Sequence, residues 1–128
     1  MGIYALTAVG VGAALGAWLR WGFGLMLNSV FPVLPFGTLA ANLVGCYLVG
    51  IAVEYFFHNT TLPPEVRLFV ITGFLGGLTT FSTFSAETVT LLLREQYSWA
   101  FAIISSHLFG SLAMTVLGML TIRLLVQH

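Results

Sequence analysis

Residues 72–88 read Thr-Gly-Phe-Leu-Gly-Gly-Leu-Thr-Thr-Phe-Ser-Thr-Phe-Ser-Ala-Glu-Thr, and this stretch decides how the third apolar segment of the chain can fold. Three glycines precede five hydroxyl residues, and two phenylalanines stand three positions apart among the hydroxyls. In hydrocarbon an unsatisfied backbone group costs several kcal/mol, so irregular backbone persists there only when protein buries it or when it lines a hydrated path. The stretch therefore predicts a helix that is broken at mid-membrane.

The composition of the chain is typical of a membrane protein. Of its 128 residues 59% are hydrophobic and only 6% are charged, and the mean hydropathy is +1.02. The charged side chains are four arginines and four glutamates, which leave no basic patch for nucleic acid and too little polar surface for a water-soluble protein. The single cysteine, Cys46, excludes an intrachain disulfide. The length fits one transmembrane domain over residues 1–128.

Four apolar segments are long enough to cross a bilayer, whose core requires about 20 helical residues. We place them at residues 3–27, 37–57, 66–94 and 98–126, which predicts an all-α membrane protein with four transmembrane helices. The third segment is predicted to have its break near residues 76–80, because neither half alone reaches across a core of about 30 Å. A turn that contains Pro32 joins the first two segments.

The arginines predict that the chain inserts in both orientations. Arg67 and Arg123 fall on one side of a four-span protein, and Arg20 and Arg94 fall on the other. Because the bias of Lys and Arg between the two sides sets the orientation, this even distribution favours neither. Two copies in opposite orientations would form an inverted pair, an arrangement that many transporters encode within one chain.

A broken helix presents two polar ends. The first half ends with carbonyls near residues 76–79 that lack intrahelical partners and suit a small cation, and the second half begins near Phe81 with N–H groups that suit an anion. The five hydroxyls can donate to an anion or bond back to helix carbonyls, and their number beside the glycines favours the first role. The ring edges of Phe81 and Phe84 carry partial positive charge, so they can meet an anion without trapping it.

Further polar side chains fall within the other segments. Thr38 and Asn42 stand four residues apart on one face of the second segment, and the amide of Asn42 must face protein or water there. His107 has three interpretations: a donor in a pore, a titratable gate, or a neutral side chain bonded to a neighbouring helix. The fourth segment places a stripe at four-residue spacing that consists of Ile103, His107, Ser111 and Thr115.

Two glutamates lie within apolar segments, where an ionised carboxylate that faces lipid is costly. Glu87 must therefore be protonated, paired with a donor or exposed to a vestibule. Because a carboxylate repels anions, we place Glu87 beside an anion path and not directly in it. Glu54 stands near the end of the second segment, where solvent would satisfy it.

The stretch from Gly73 to Glu87 resembles the signature of the Fluc/CrcB family of fluoride channels. Residues 38–45, Thr-Leu-Ala-Ala-Asn-Leu-Val-Gly, and residues 16–20, Gly-Ala-Trp-Leu-Arg, are similar to that family too. The resemblance covers essentially the whole chain. It implies an antiparallel, dual-topology homodimer that crosses the lipid bilayer of the cell's inner (plasma) membrane several times and contains two separate fluoride pathways.

The resemblance also implies roles for individual residues. A structural sodium ion on the twofold axis would be held by the backbone carbonyls of Gly76 and Thr79 from both subunits. Asn42 would donate to fluoride, the two phenylalanines would present their edges to it, and Arg20 would lie in a vestibule. In full, the predicted fluoride pathway comprises Arg20, Thr38, Asn42, Phe81, Phe84, His107 and Ser111.

We therefore predict a passive, fluoride-selective channel rather than an enzyme, one that exports fluoride and so lowers its toxicity in the cell. Fluoride is small and tightly hydrated, so close donors must replace its hydration shell. The alternative is a proton-coupled small multidrug-type exporter, which also has four spans but generally centres on a glutamate in the first one. The only charge in the first segment here is Arg20. A purely structural or assembly subunit would not need a broken, hydroxyl-rich helix.

Overall fold

A computed structural model describes residues 2–28 and 35–126 of the chain. These residues form four helical segments that are each long and apolar enough to cross a membrane, judged by length and composition. The prediction of an all-α protein with four membrane-capable helices is confirmed. The turn predicted around Pro32 lies outside the described residues. The bounds of the unbroken helices are α1 Ile3–Leu27, α2 Phe36–His58 and α6 Tyr97–Val126.

The third segment changes its helix type along its length. Its pieces are α3 (Pro64–Arg67), a π-helix (Leu68–Leu75), α4 (Gly76–Leu78) and α5 (Ser82–Leu93). We call residues 79–81, which separate α4 from α5, the interruption. Thr79 has extended backbone angles there, with φ −88° and ψ 152°. Gly76 is still helical at φ −63° and ψ −37°, and the last residue of α4 is Leu78.

Small residues allow α1 to lie directly against the third segment. A methyl group added at Gly12 would meet the backbone of Phe69 and Gly73, and one added at Gly77 would meet the backbone of Ala13. These contacts advance together along both segments, so α1 and the third segment run parallel. Such close backbone approach is how helices associate where no hydrophobic effect drives them together.

The second and fourth spans, α2 and α6, pack directly against each other. A methyl group at Gly50 would overlap the carbonyl oxygen of Thr115, and one at Gly118 would overlap that of Tyr47. The hydroxyl groups of Tyr47 and Thr121 also hydrogen-bond at 2.9 Å. Glycine is required at these two positions because α2 and α6 touch backbone to backbone.

Polar contacts at both ends of this pair show that α2 and α6 are parallel. Asn42 meets His107 in the first halves of the two helices, and Glu54 meets Arg123 near their last turns. Arg123 Nε donates to Glu54 Oε1 at 2.8 Å, and His58 Nε2 lies 3.4 Å from the same oxygen. The expectation that solvent satisfies Glu54 is wrong, because this side chain is buried and Arg123 reaches it from α6.

The arginines divide evenly between the two halves of the bundle. Arg67 lies over the ring of Phe56, with 5.6 Å from the guanidinium carbon to the ring centroid, so it shares with Arg123 the end where α2 finishes. Arg20, in the second half of α1, and Arg94, which follows α5, belong to the opposite half. The structure thus distributes the positive charges as the order of the spans predicts.

We expect Gly118→Ala to disrupt the packing of α2 against α6, because its methyl group would overlap the Tyr47 carbonyl and only a helix shift could relieve that overlap. Overpacking of this kind typically costs about 1–3 kcal/mol. Gly10→Ala is the matched control, since nothing lies within 4 Å of a methyl group there. On a sizing column after stepwise heating, Gly118→Ala should lose its monodisperse peak at a lower temperature than Gly10→Ala and the wild type. Equal thermal behaviour of both variants would contradict this packing.

Candidate functional site

Asn42 of α2 holds the backbone of the interruption in place. Its Nδ2 donates to the carbonyl of Thr80 at 2.9 Å, and its Oδ1 accepts from the Thr80 N–H at 2.8 Å. Because the Thr80 N–H can only donate and its carbonyl can only accept, these two bonds fix which end of the amide is nitrogen. The Asn42 side chain thereby satisfies backbone groups that lose their helical partners where α4 ends.

The same amide nitrogen also faces α6. Asn42 Nδ2 lies 3.1 Å from Nδ1 of His107, and both side chains are buried. An amide has two protons, so one is committed to Thr80 and the other to His107. The donation from Asn42 to an ion remains a prediction, and it requires one of these two bonds to open. Among the residues that the structure describes, Nε2 of His107 has no hydrogen-bond partner.

Two phenylalanines lie beside this histidine. The ring of Phe84 lies against the imidazole of His107, with centroids 4.5 Å apart and planes tilted by 35°. Phe81 meets Phe84 edge-on, at 5.5 Å and 65°. Phe84 is half-buried, whereas Phe81 is 77% exposed. The two rings therefore run from the outer surface of the chain to the buried imidazole.

At the interruption, two backbone carbonyls lose the N–H donors that an unbroken helix would supply to them. The N–H of Thr80, four residues after Gly76, donates to Asn42 instead. The N–H of Thr83, four residues after Thr79, donates to the Oγ1 of Thr80 in a long bond of 3.4 Å. The carbonyls of Gly76 and Thr79, which the sequence predicts as cation ligands, therefore do not receive these helical hydrogen bonds.

The hydroxyl groups around the interruption bond within the chain. Thr79 Oγ1 donates to the carbonyl of Leu75 at 2.8 Å, and the hydroxyls of Thr80 and Ser82 lie 3.1 Å apart. Thr79 is therefore bonded back to a helix carbonyl, the role that the sequence context of the hydroxyl cluster disfavours. The backbone N–H of Thr79 donates to the same carbonyl at 3.0 Å, so the helical hydrogen bonding extends one residue beyond the end of α4.

Arg20 reaches from α1 to the carboxyl end of α4. Its Nε donates to the carbonyl of Gly77 at 3.0 Å, and the side chain is half-buried. A cation complements the partial negative charge at a helix carboxyl end. The structure therefore places Arg20 next to the interruption, and its role in a vestibule remains a prediction.

The remaining predicted residues lie farther along the helices. Thr38 Oγ1 donates to Glu87 Oε2 at 2.7 Å, so of the three alternatives for Glu87 the structure shows the one in which it pairs with a donor. Its other oxygen is buried without a partner among the described residues. Ser111 is half-buried one turn after His107, and its carbonyl accepts from the Thr115 hydroxyl at 3.0 Å.

Similarity to known proteins covers this whole site. The family model described as CrcB-like protein, Camphor Resistance (CrcB), matches residues 7–119. The chain belongs to the CrcB family. Every residue of the site described above falls within that match, from Arg20 on α1 to Ser111 on α6. The membership predicted from the stretch between Gly73 and Glu87 is confirmed.

Three relatives are similar to this chain over nearly their full length. The chain is 73% identical over 128 residues to "Fluoride-specific ion channel FluC" of Nitrosospira multiformis, with 100% of both chains covered. A protein of the same name from Cupriavidus taiwanensis is 58% identical over 125 residues, which cover 98% of this chain and 99% of that one. The protein of that name from Tolumonas auensis is 58% identical over 123 residues, which cover 96% and 97%.

The structure places Thr80 in the site through its backbone, whereas the sequence indicated only its hydroxyl. Thr80 contributes its backbone N–H and carbonyl, and both are held by Asn42. The sequence contained a signal for this contact, because a buried amide on one span and irregular backbone on another each need a polar partner. The structure brings Asn42, Phe84 and His107 together around Thr80.

Proposed function

We propose that this chain is a passive, fluoride-selective ion channel and not an enzyme. The observation that carries the proposal is the 73% identity, over the full length of both chains, to a protein named Fluoride-specific ion channel FluC. The site is compatible with that role, since it joins aromatic edges to uncharged hydrogen-bond donors. Such groups can replace part of the hydration shell of an anion without holding the ion as a fixed charge would.

The third helix is proposed to be broken at the middle of the membrane. A methyl group at Gly45, close to the centre of α2, would meet the side chain of Thr79. Gly16, next to the centre of α1, lies against the backbone N of Leu78. The interruption is therefore level with the centres of both neighbouring spans to within about 3 Å, or two residues of helical rise.

The functional unit is proposed to be an antiparallel, dual-topology homodimer with two fluoride pathways. Two arginines in each half of the bundle give neither orientation an advantage. Phe81 is 77% exposed in the single chain although it leads to the half-buried ring of Phe84, so a second copy is needed to enclose that route. Gly76 also faces outward, and an added methyl group there would meet nothing nearer than 3.6 Å.

A structural sodium ion is proposed between the two chains, with the carbonyls of Gly76 and Thr79 as its ligands. These carbonyls fit the ion, because the N–H groups that would normally bond them are directed to Asn42 and Thr80. Carbonyl oxygens are hard ligands that suit small hard cations. When bound, the ion would neutralise the partial negative charge that oxygens from both subunits bring together.

We expect fluoride flux to fall strongly when sodium is replaced on both sides of the membrane by a large organic cation after prolonged exchange. The carbonyls of Gly76 and Thr79 would then face one another without a counter-charge. Thr79→Ser is the control for a side-chain effect, since serine retains both the backbone oxygen and the hydroxyl that bonds Leu75. Its flux in sodium should match the wild type. Undiminished wild-type flux without sodium would contradict the metal site.

We expect Phe81→Ile and Phe84→Ile each to reduce fluoride flux by about tenfold or more, a change equivalent to about 1.4 kcal/mol in the barrier. Isoleucine keeps apolar bulk but lacks the electropositive ring edge. A swap that keeps hydrophobic volume usually costs less than about 1.5 kcal/mol in stability, so both variants should elute from a sizing column like the wild type. Full flux in both variants would show that the rings serve packing alone.

The channel is proposed to act in the inner (plasma) membrane of the cell, where it lets fluoride leave and so lowers fluoride toxicity. The alternative function, a proton-coupled small multidrug-type exporter, has less support. Such a protein generally centres on a carboxylate in its first span, and α1 contains neither aspartate nor glutamate.

Fluoride efflux from liposomes that contain the purified protein tests the proposal. Liposomes are loaded with both potassium fluoride and potassium chloride, and valinomycin lets potassium compensate the charge that leaves. Ion-selective electrodes should record rapid release of fluoride and retention of chloride. Fluoride release no faster than from protein-free liposomes, or equal release of both anions, would refute a fluoride-selective channel.

A further inference from the structure

The backbone carbonyl of Gly77, in the last turn of α4, receives its hydrogen bond from another helix. In an unbroken helix this carbonyl would accept from the N–H of Phe81, four residues later. It accepts instead from Nε of Arg20, on α1, at 3.0 Å. Arg20 thus satisfies a carbonyl that stands in sequence between Gly76 and Thr79, the two residues whose carbonyls are the proposed sodium ligands.

Gly77 faces α1, whereas Gly76 faces away from it. A methyl group added at Gly77 would lie 2.5 Å from the carbonyl oxygen of Ala13 and 3.1 Å from the backbone nitrogen of Ala17. One added at Gly76 would meet nothing nearer than 3.6 Å, and Gly76 is exposed. The two neighbouring glycines therefore lie on different sides of α4, one towards α1 and the other towards the surface that a second copy would cover.

Arg20 is the last member of the α1 face that packs on the third segment. This face follows the helical spacing i, i+3, i+4, i+7 and consists of Ala13, Gly16, Ala17 and Arg20. At Gly16 the two backbones are so close that a methyl group would overlap the backbone of the third segment. Because this packing fixes the distance between the helices, the side chain of Arg20 holds the last turn of α4 in one position.

We propose that Arg20 is a positioning residue for the sodium site: its Nε–H occupies the carbonyl of Gly77 and so leaves the carbonyls of Gly76 and Thr79 as the ligands. This inference rests on the proposed sodium site and adds a residue that does not touch the ion. A carbonyl without a donor at a helix end is free to turn towards a cation. The bond from α1 prevents this at Gly77 and keeps Gly76 directed outwards.

The donor and the charge of Arg20 act on a bound cation in opposite directions. The Nε–H orders the last turn of α4, which favours binding, whereas the positive guanidinium repels a nearby sodium ion. Removing the charge alone should therefore not weaken sodium binding. Removing the donor should weaken it.

Two uncharged replacements of Arg20 separate the donor from the charge. In Arg20→Gln the amide nitrogen follows Cδ, as Nε does in arginine, so an N–H group remains at that place. In Arg20→Met a methyl group stands there, so the length is kept and the donor is lost. Arg94→Gln is the matched control for the loss of an arginine, because Arg94 is exposed and belongs to the same half of the bundle.

Carbonyl NMR of the full chain in lipid nanodiscs measures sodium binding without transport. Gly76–Gly77 is the one Gly–Gly pair in the sequence, so glycine labelled with both carbonyl ¹³C and ¹⁵N selects the Gly76 carbonyl. The sample is dialysed at length against N-methyl-D-glucamine chloride and then titrated with sodium chloride at constant ionic strength. The sodium concentration at the midpoint of the Gly76 shift is compared between the wild type and the three variants.

The midpoint for Arg20→Met should be about tenfold higher than for the wild type, the loss expected for one hydrogen bond. Arg20→Gln and Arg94→Gln should bind sodium no more than about threefold more weakly than the wild type. Equal midpoints in all four proteins would overturn the proposal. The same weakening in both Arg20 variants would overturn it too, because the charge and not the donor would then be what matters.

A second label tests the proposal in the wild type alone, even if Arg20→Met does not fold. Carbonyl-¹³C glycine with ¹⁵N-leucine selects the carbonyls of Gly24 and Gly77, and Leu25→Met removes the Gly24 signal. Sodium should shift the Gly76 carbonyl and leave the Gly77 carbonyl, held by Arg20, much less affected. A larger shift at Gly77 than at Gly76 would overturn the proposal, and no shift at either would refute the sodium site itself.

Fluoride efflux from liposomes provides a rescue experiment. At low sodium, Arg20→Met should release fluoride more slowly than Arg20→Gln, and the two rates should converge as sodium is raised on both sides. A deficit that is the same at every sodium concentration would contradict a role of Arg20 in the sodium site. If wild-type liposomes release no fluoride at all, the channel proposal fails, and the NMR titrations still decide whether Arg20 positions the sodium ligands.

Discussion

Replacing Asn42 by aspartate should reduce fluoride flux by about a hundredfold or more, although the side chain hardly changes in size. A carboxylate oxygen takes the place of Nδ2 and faces the Thr80 carbonyl, which can only accept, so the hydrogen bond to that carbonyl is lost. Losing a buried hydrogen bond costs about 1–3 kcal/mol. The upper part of this range corresponds to about a hundredfold at 1.4 kcal/mol per factor of ten. The added negative charge beside the anion path works in the same direction.

The matched control is Asn59→Asp. Asn59 also donates through Nδ2 to a carbonyl, that of Tyr55, but this bond is exposed and joins residues four apart near the end of α2. Fluoride efflux from liposomes should be unchanged in Asn59→Asp and nearly abolished in Asn42→Asp. Wild-type flux in the Asn42 variant would show that the bonds between α2, the interruption and α6 do not matter for permeation.

Two added lysines in one connecting loop should remove fluoride flux entirely when that variant is the only copy expressed. Thr60→Lys with Thr61→Lys adds charge between α2 and α3, and Glu95→Lys with Gln96→Lys adds it between α5 and α6, on the opposite side. Each double variant should insert in one orientation, because the Lys and Arg bias sets topology. Without an opposite copy, no antiparallel pair can form and flux should fall to the protein-free background.

Co-expression of the two double variants provides the control, because it supplies one copy of each orientation. Flux should then return towards the wild-type level, and protease access to tagged termini should report a single orientation for each variant alone. Full activity of either variant by itself, or a wild-type chain that inserts in one direction only, would contradict dual topology.

Sequence reasoning succeeded where the physical cause lies within one stretch of the chain. Each span is a continuous apolar run of at least the length that a bilayer requires, so the four helices follow from local composition. The glycine and hydroxyl stretch marked the place where the third helix changes. It did not give the position at which α4 ends, because the bonds that divert the Thr80 backbone come from Asn42, 38 residues earlier.

Two further features of the structure were not predicted from the sequence. Glu54 is buried because Arg123, 69 residues later, reaches it from α6. The π-helix Leu68–Leu75 carries no local signal either; its geometry is visible only in hydrogen bonds such as the one from the Gly76 N–H to the Ile71 carbonyl. Such segments often occur at functional sites, and this one ends next to α4 and the interruption.

The reversal potential of the current in a planar bilayer distinguishes passive, fluoride-selective conduction from unselective conduction and from proton-coupled transport. With a tenfold fluoride gradient, equal chloride and equal pH on both sides, we expect reversal at the fluoride equilibrium potential, about 59 mV from zero. An imposed pH gradient should leave that value unchanged. Reversal near zero would contradict selectivity for fluoride, and a reversal potential that follows the pH gradient would show that proton-coupled transport, not a passive channel, carries the ion.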